Sequence, residues 1–157
     1  GRTGSNIEPK TIARLAAEFP NIVAVKEAAG NVAQTAELFR VLPENVTIYS
    51  GDDGLVLPFM SVGARGVISV LANIGGQMLQ DVMQLYSEGK VAEAAELNKK
   101  LVPLANSMFI ESNPIPVKYA VTKVTGINAG APRLPLTPLS EAGKEKLDAV
   151  LAEYNLV

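Results

Sequence analysis

Apolar positions along this chain follow two alternating rhythms, one helical and one extended. In the segment PKTIARLAAEF, Ile12, Leu15, Ala16 and Phe19 recur at helical spacing. Pro9 suits the first helical position, where a missing N–H costs nothing, and Pro20 is a stop. Ile22, Val23, Ala24 and Val25 then run consecutively before Lys26, and three of the four are β-branched. Such a run predicts a strand buried on both faces, the parallel-sheet type, with neighbours on both edges. After Gly30, Asn31 and Gln34 have the spacing of a capping box with Asn in the Ser/Thr place, and they predict a helix over 32–42 that ends at Pro43.

The unit repeats. Residues 46–50 predict a second strand, the Gly51-Asp52-Asp53-Gly54 turn follows, and 55–62 predicts a short helix. Gly63 and Gly66 return the chain to a third predicted strand over 67–71, with a loop over 72–76. A helix over 77–88 carries Leu79, Val82, Met83 and Tyr86 on one face. Residues 1–88 thus alternate α and β, which predicts parallel strands joined by helical crossovers. Residues 89–157 read as helical. A helix over 91–110 bears the stripe Ala94, Leu97, Leu101, Leu104 and Met108, with Pro103 predicting a kink. Asn113 is predicted to cap a helix that opens on Pro114 and ends at Gly126. A Pro/Gly-rich stretch over 127–139 is predicted to cross the surface, and Ser140 to cap a last helix with Leu147, Val150, Leu151 and Tyr154. Three strands do not close a barrel, and an eight-stranded one needs about 250 residues. Spacing alone leaves a small α/β domain or the C-terminal part of a barrel.

Composition narrows the chemistry. The chain has 157 residues with no Cys, no His and no Trp. That removes thiolate and histidine catalysis, disulfides and the commonest metal ligands, so any catalyst must use Lys, Arg, Tyr, Ser/Thr, carboxylates or backbone groups. Fourteen basic and sixteen acidic side chains give a net charge of −2, which argues against an electrostatic nucleic-acid binder. No apolar run approaches the about 18 residues of a membrane span. The chain opens GRTGSN without an initiator Met. A processing scar or the continuation of a longer chain would explain this, and the second is expected here.

Lys26 carries the most information. It sits at the C-terminal end of an apolar strand, the end that faces the active site in α/β barrels. An amine enclosed by apolar side chains loses hydration of its charged form and gives up its proton more readily. Once neutral, it can attack a ketone and form a Schiff base. The alternative is a lysine that reaches solvent or pairs with Glu27. The Gly51–Gly54 turn can present backbone N–H groups and a carboxylate beside Lys26, or simply connect a strand to a helix. Arg2, between Gly1 and Thr3-Gly4, can hold a carboxylate through two parallel hydrogen bonds or lie solvated.

Five ordered motifs resemble the dihydrodipicolinate synthase family. They are Arg2-Thr3-Gly4 with Ile22-Val23-Ala24-Val25-Lys26-Glu27-Ala28; Ser50-Gly51-Asp52-Asp53; Gly66-Val67-Ile68-Ser69-Val70; Asn113-Pro114-Ile115-Pro116-Val117-Lys118; and Arg133-Leu134-Pro135-Leu136-Thr137-Pro138. The resemblance implies an α/β fold, the C-terminal part of a (β/α)8 TIM barrel with three parallel strands, followed by a C-terminal helical region. It implies a class I aldolase-type lyase that condenses pyruvate with aspartate 4-semialdehyde on the route to diaminopimelate and lysine. Lys26 matches the Schiff-base lysine, Arg2 the arginine that binds the semialdehyde carboxylate, and Gly51 and Ile68 the lining of the pyruvate pocket. No metal or organic cofactor is implied, nor any nucleic-acid or membrane partner. A cytoplasmic homotetramer of the full-length enzyme is implied. N-acetylneuraminate lyase and related 2-keto-acid aldolases share the lysine and the barrel, and a non-catalytic half-barrel module is the rival from another class. Tyr49, Tyr86, Tyr119 and Tyr154 do not match the tyrosines of the family's proton relay, and its Thr-Thr-Gly carboxylate site has no counterpart. The chain is therefore expected to be the C-terminal half of the enzyme and to have no useful activity without the N-terminal half.

Overall fold

A computed structural model of the chain describes residues 2–157. Gly1, expected to flank the Arg2 loop, lies outside the described residues. The chain divides after Ser69 into two compact units.

The first unit contains α1 (Pro9–Glu18), β1 (Ala24–Glu27), α2 (Val32–Val41), β2 (Thr47–Ser50) and α3 (Val56–Ser61). The two strands pair in parallel, with Ala24 opposite Thr47 and Lys26 opposite Tyr49. A parallel pair needs a crossover, and α2 supplies it. Leu38 from α2, Ile48 from β2 and Phe59 from α3 meet with Ala64 in a buried cluster, against which Ile12, Val25 and Leu42 pack. Asn31 caps α2 as its position predicts, its Oδ1 accepting from the Gln34 amide N–H at 3.0 Å. The reciprocal half of the capping box is absent, because the Gln34 side chain is engaged elsewhere.

Two strand expectations require correction. The three-stranded sheet is a two-stranded sheet among the described residues. The third segment contributes an isolated parallel bridge between Ser50 and Val67, made by Ser50 N–H to Gly66 O and Ile68 N–H to Ser50 O, both 2.8 Å. β2 ends at Ser50, and the chain bends at Val70 and turns at Leu71, so the ladder has no length in which to extend. Nor is β1 buried on both faces. Ala24 and Lys26 are exposed, and Val23 just before the strand is 57% exposed. The physical reason is that β1 pairs along one edge only, so its apolar run has no second neighbour among the described residues.

The second unit is helical: α4 (Ala72–Ser87), α5 (Val91–Ser107), α6 (Ile115–Thr125) and α7 (Glu141–Glu153). α4 and α7 each pack against both α5 and α6. The buried side chains include Leu79, Val82, Leu101, Leu104, Leu147 and Leu151. The α–β alternation of the sequence ends near residue 88, whereas packing groups α4 with the helices that follow it. α4 starts at Ala72, upstream of its expected start at Gln77, and leaves helical dihedrals once, at Gly75 (φ −141°, ψ 34°). α5 continues through Pro103. Asn113 does not cap α6: Pro114 holds the N-cap position after a cis peptide bond, and Pro116 occupies the first turn. Gly126, in the left-handed region at φ 73°, ends α6 as expected. Ser140 caps α7 through Gly143 N–H at 3.0 Å, and its own hydroxyl donates to Glu111.

Leu38→Ala is expected to lower the unfolding free energy of the chain by about 2–5 kcal/mol, the usual cost of emptying a fully buried leucine site. Urea unfolding measures this, and an unchanged midpoint would remove the Leu38 cluster as the core of the first unit.

Candidate active site at the end of the parallel strands

The C-terminal ends of β1 and β2 and the Val67 bridge lie side by side. Gly51, just past β2, donates its N–H to Glu27 O at 2.7 Å. Ile68, just past the bridge, donates its N–H to Ser50 O at 2.8 Å. Lys26, one residue before the end of β1, therefore stands beside the positions where Gly51 and Ile68 follow the other two segments. With both amide hydrogens engaged, Gly51 and Ile68 can offer a ligand carbonyl oxygens and apolar contact.

The approach at Gly51 is close. A Cβ built there would stand 2.7 Å from Ala28 Cβ and 2.9 Å from Glu27 O. Only a residue without a side chain lets the two strand ends keep this spacing. Within the turn, Asp52 Oδ1 accepts from Gly54 N–H at 2.9 Å, and the Ser50 hydroxyl donates to Asp52 O at 2.7 Å. The connecting role of this turn is thus realised.

Lys26 is exposed, and Ile68 is 50% exposed. The apolar enclosure expected around the amine is not supplied by the described residues. Arg2 is also exposed. Its loop turns on itself through the Thr3 hydroxyl, which donates to Ser5 O at 3.1 Å. No described hydrogen bond joins Arg2 to Lys26, Gly51 or Ile68.

Sequence reasoning missed the buried carboxylate next to Lys26. Glu27 is 3% exposed, and a carboxylate so placed requires hydrogen bonds. Its Oε1 accepts from Ala29 N–H and its Oε2 from Gln34 Nε2, each at 2.5 Å. Gln34 in turn pairs with Asn6. An acidic residue ending an apolar strand was the available signal; the partners 7 and 28 residues apart were not visible from local spacing. Outside this network, Arg40 holds the half-buried Glu37 carboxyl below the usual carboxylate range, chiefly through their side-chain hydrogen bond. Among the described residues no three acidic side chains gather as metal ligands, and no helix is long and apolar enough to cross a membrane.

Gly51→Ala should push Ala28 and the end of β1 away and destabilise the fold by about 1–3 kcal/mol, the range of an overpacked site. Urea unfolding checks the loss; full stability retained would mean that the close approach of the two strand ends is not required.

Comparison with known proteins extends this geometry. The model of the dihydrodipicolinate synthetase family matches residues 1–154. The 4-hydroxy-tetrahydrodipicolinate synthase of Desulforudis audaxviator (strain MP104C) is 46% identical over 157 residues, covering 100% of this chain and 53% of that protein. The crystal structure of the chloride-inhibited dihydrodipicolinate synthase from Acinetobacter baumannii, complexed with pyruvate, aligns with a TM-score of 0.90 at 40% identity, over 99% of this chain and 53% of that one. The lysine-bound dihydrodipicolinate synthase from Cyanidioschyzon merolae aligns with a TM-score of 0.93 at 35% identity, over 99% and 52%. The chain spans about half the length of these relatives. A match over nearly every residue, together with close agreement in backbone, shows that the chain belongs to the dihydrodipicolinate synthetase family.

Proposed function

We propose that the chain is the C-terminal portion of a (β/α)8-barrel 4-hydroxy-tetrahydrodipicolinate synthase and carries its Schiff-base lysine, Lys26. The observation that carries this reading is the position of Lys26. It lies one residue before the end of a parallel strand whose neighbour runs into Gly51, in a chain 46% identical to a protein of that name. The pyruvate complex of the Acinetobacter baumannii relative supports pyruvate as the first substrate. In this reading the neutral Lys26 amine attacks the ketone carbon of pyruvate, water leaves, and a protonated imine forms. The imine withdraws electrons, so the adjacent methyl group loses a proton and the resulting enamine carbon adds to the aldehyde of aspartate 4-semialdehyde. Arg2 receives the carboxylate of that second substrate. The carbonyl of Gly51 and the side of Ile68 line the pyruvate pocket. Imine chemistry itself requires no metal or organic cofactor.

The same reading explains the exposure of the site. Condensation needs an enclosed amine, an oriented carboxylate and a proton relay. The remaining half of the relatives' length is where these elements are to be found, along with strands for the open edge of β1. The product class belongs to lysine and diaminopimelate biosynthesis, with a homotetramer of the full-length enzyme in the cytoplasm as the working form.

Borohydride trapping with pyruvate tests this reading. The full-length protein containing this chain should give one covalent adduct, mapped to Lys26 by peptide mass and absent in Lys26→Ala. The chain alone should trap at least ~100-fold more slowly, the cost of a poorly oriented site. An adduct that persists in Lys26→Ala, or no adduct in the full-length protein, contradicts the proposal.

A further inference from the structure

Gln34 joins two parts of the site that no strand pairing connects. Its Nε2 donates to the buried Glu27 carboxylate at 2.5 Å and to Asn6 Oδ1 at 3.2 Å, and its Oε1 accepts from Asn6 Nδ2 at 2.7 Å. Glu27 directly follows Lys26, and Asn6 lies in the loop that carries Arg2. The buried carboxylate accepts only, so it fixes which end of the Gln34 amide faces inward. That leaves Oε1 to receive Asn6, and the two amides form a reciprocal pair that sets direction as well as distance. The other side-chain bonds of this loop, from Thr3 to Ser5 and from Asn6 to Glu8, are local, whereas the Asn6–Gln34 pair spans 28 residues.

We propose that Gln34 is a positioning residue: by clamping the Arg2 loop, through Asn6, to the strand end that bears Lys26, it sets how well the site receives the carboxylate-bearing aldehyde substrate. The inference rests on the roles proposed for Lys26 and Arg2. Its logic is geometric. Lys26 captures the keto acid from the strand end, which the sheet already holds. Arg2 must reach the second substrate from a loop, and a loop held only by local turns can drift relative to the strand. A displacement of about 1 Å between groups that hold two reacting partners is enough to lose much of the benefit of orientation. Asn6 and Gln34 line a solvent-open groove of about 620 Å³, so their pair is a moderate constraint rather than a rigid one.

The test uses the full-length protein containing this chain, with Asn6→Ala, Gln34→Ala and the double variant. Asn6→Ala should raise KM for aspartate 4-semialdehyde about fivefold, the worth of one ordinary hydrogen bond. KM for pyruvate, the rate of borohydride trapping and Tm should stay near those of the parent. Gln34→Ala should raise the aldehyde KM at least as much, and the double variant should be no worse than Gln34→Ala, as expected of two residues in one contact. An aldehyde KM unmoved by Asn6→Ala, an equal rise in both KM values with a fall in Tm, or additive effects in the double variant would each overturn the clamp. Failure of the enzymatic reading shows itself separately, as no trapping at Lys26 in the unsubstituted protein.

Discussion

The hydrogen bond from Gly51 N–H to Glu27 O holds the candidate site in place. It closes the parallel pairing of β1 and β2 one residue beyond the ladder, with Lys26 opposite Tyr49 just inside it. The spacing is possible because Gly51 has no side chain to meet Ala28. Among the described residues β1 is paired along one edge, so the direction in which the Lys26 backbone points depends on β2 and on the α2 crossover that delivers it. The buried Leu38, Ile48 and Phe59 cluster fastens that crossover.

Glu27 adds a second constraint at the same place. A carboxylate shut away from water is tolerated when donors surround it, and here an amide N–H and the Gln34 side chain do so. The sheet thus ends in a polar anchor on the inward residue and an exposed amine on the neighbouring one, an alternation that follows from the two-residue period of a strand. This explains how a strand with an apolar beginning can finish in Lys26 and Glu27 without leaving a buried carboxyl group short of hydrogen bonds.

Local signals were legible wherever the structure is decided locally. The Asn31 and Ser140 caps, the Gly126 stop and the helical stripes of α5 and α7 all follow from neighbours within a few residues. The strand ladder was legible only in part, because pairing is decided by what lies alongside. Residues 67–71, three of them β-branched, have the composition of a strand yet form a single bridge, since β2 stops at Ser50 and the chain turns away at Leu71. Gln34 shows the same limit at the site. Its spacing from Asn31 marks a capping box, but a buried carboxylate is a stronger claim on its amide than an N-cap N–H that water can also reach. The place of Lys26 near a strand end could be read from the chain, whereas its exposure could not, because the composition of an apolar run does not say which of its edges will be paired.

The most direct measurement of the central claim is a crystal structure of the full-length protein soaked with pyruvate. Continuous density from Lys26 Nζ to the ketone carbon, at the C-terminal end of β1 and against Gly51, is the predicted result. Pyruvate bound with no covalent link to Lys26, or attached to a different amine, would contradict it.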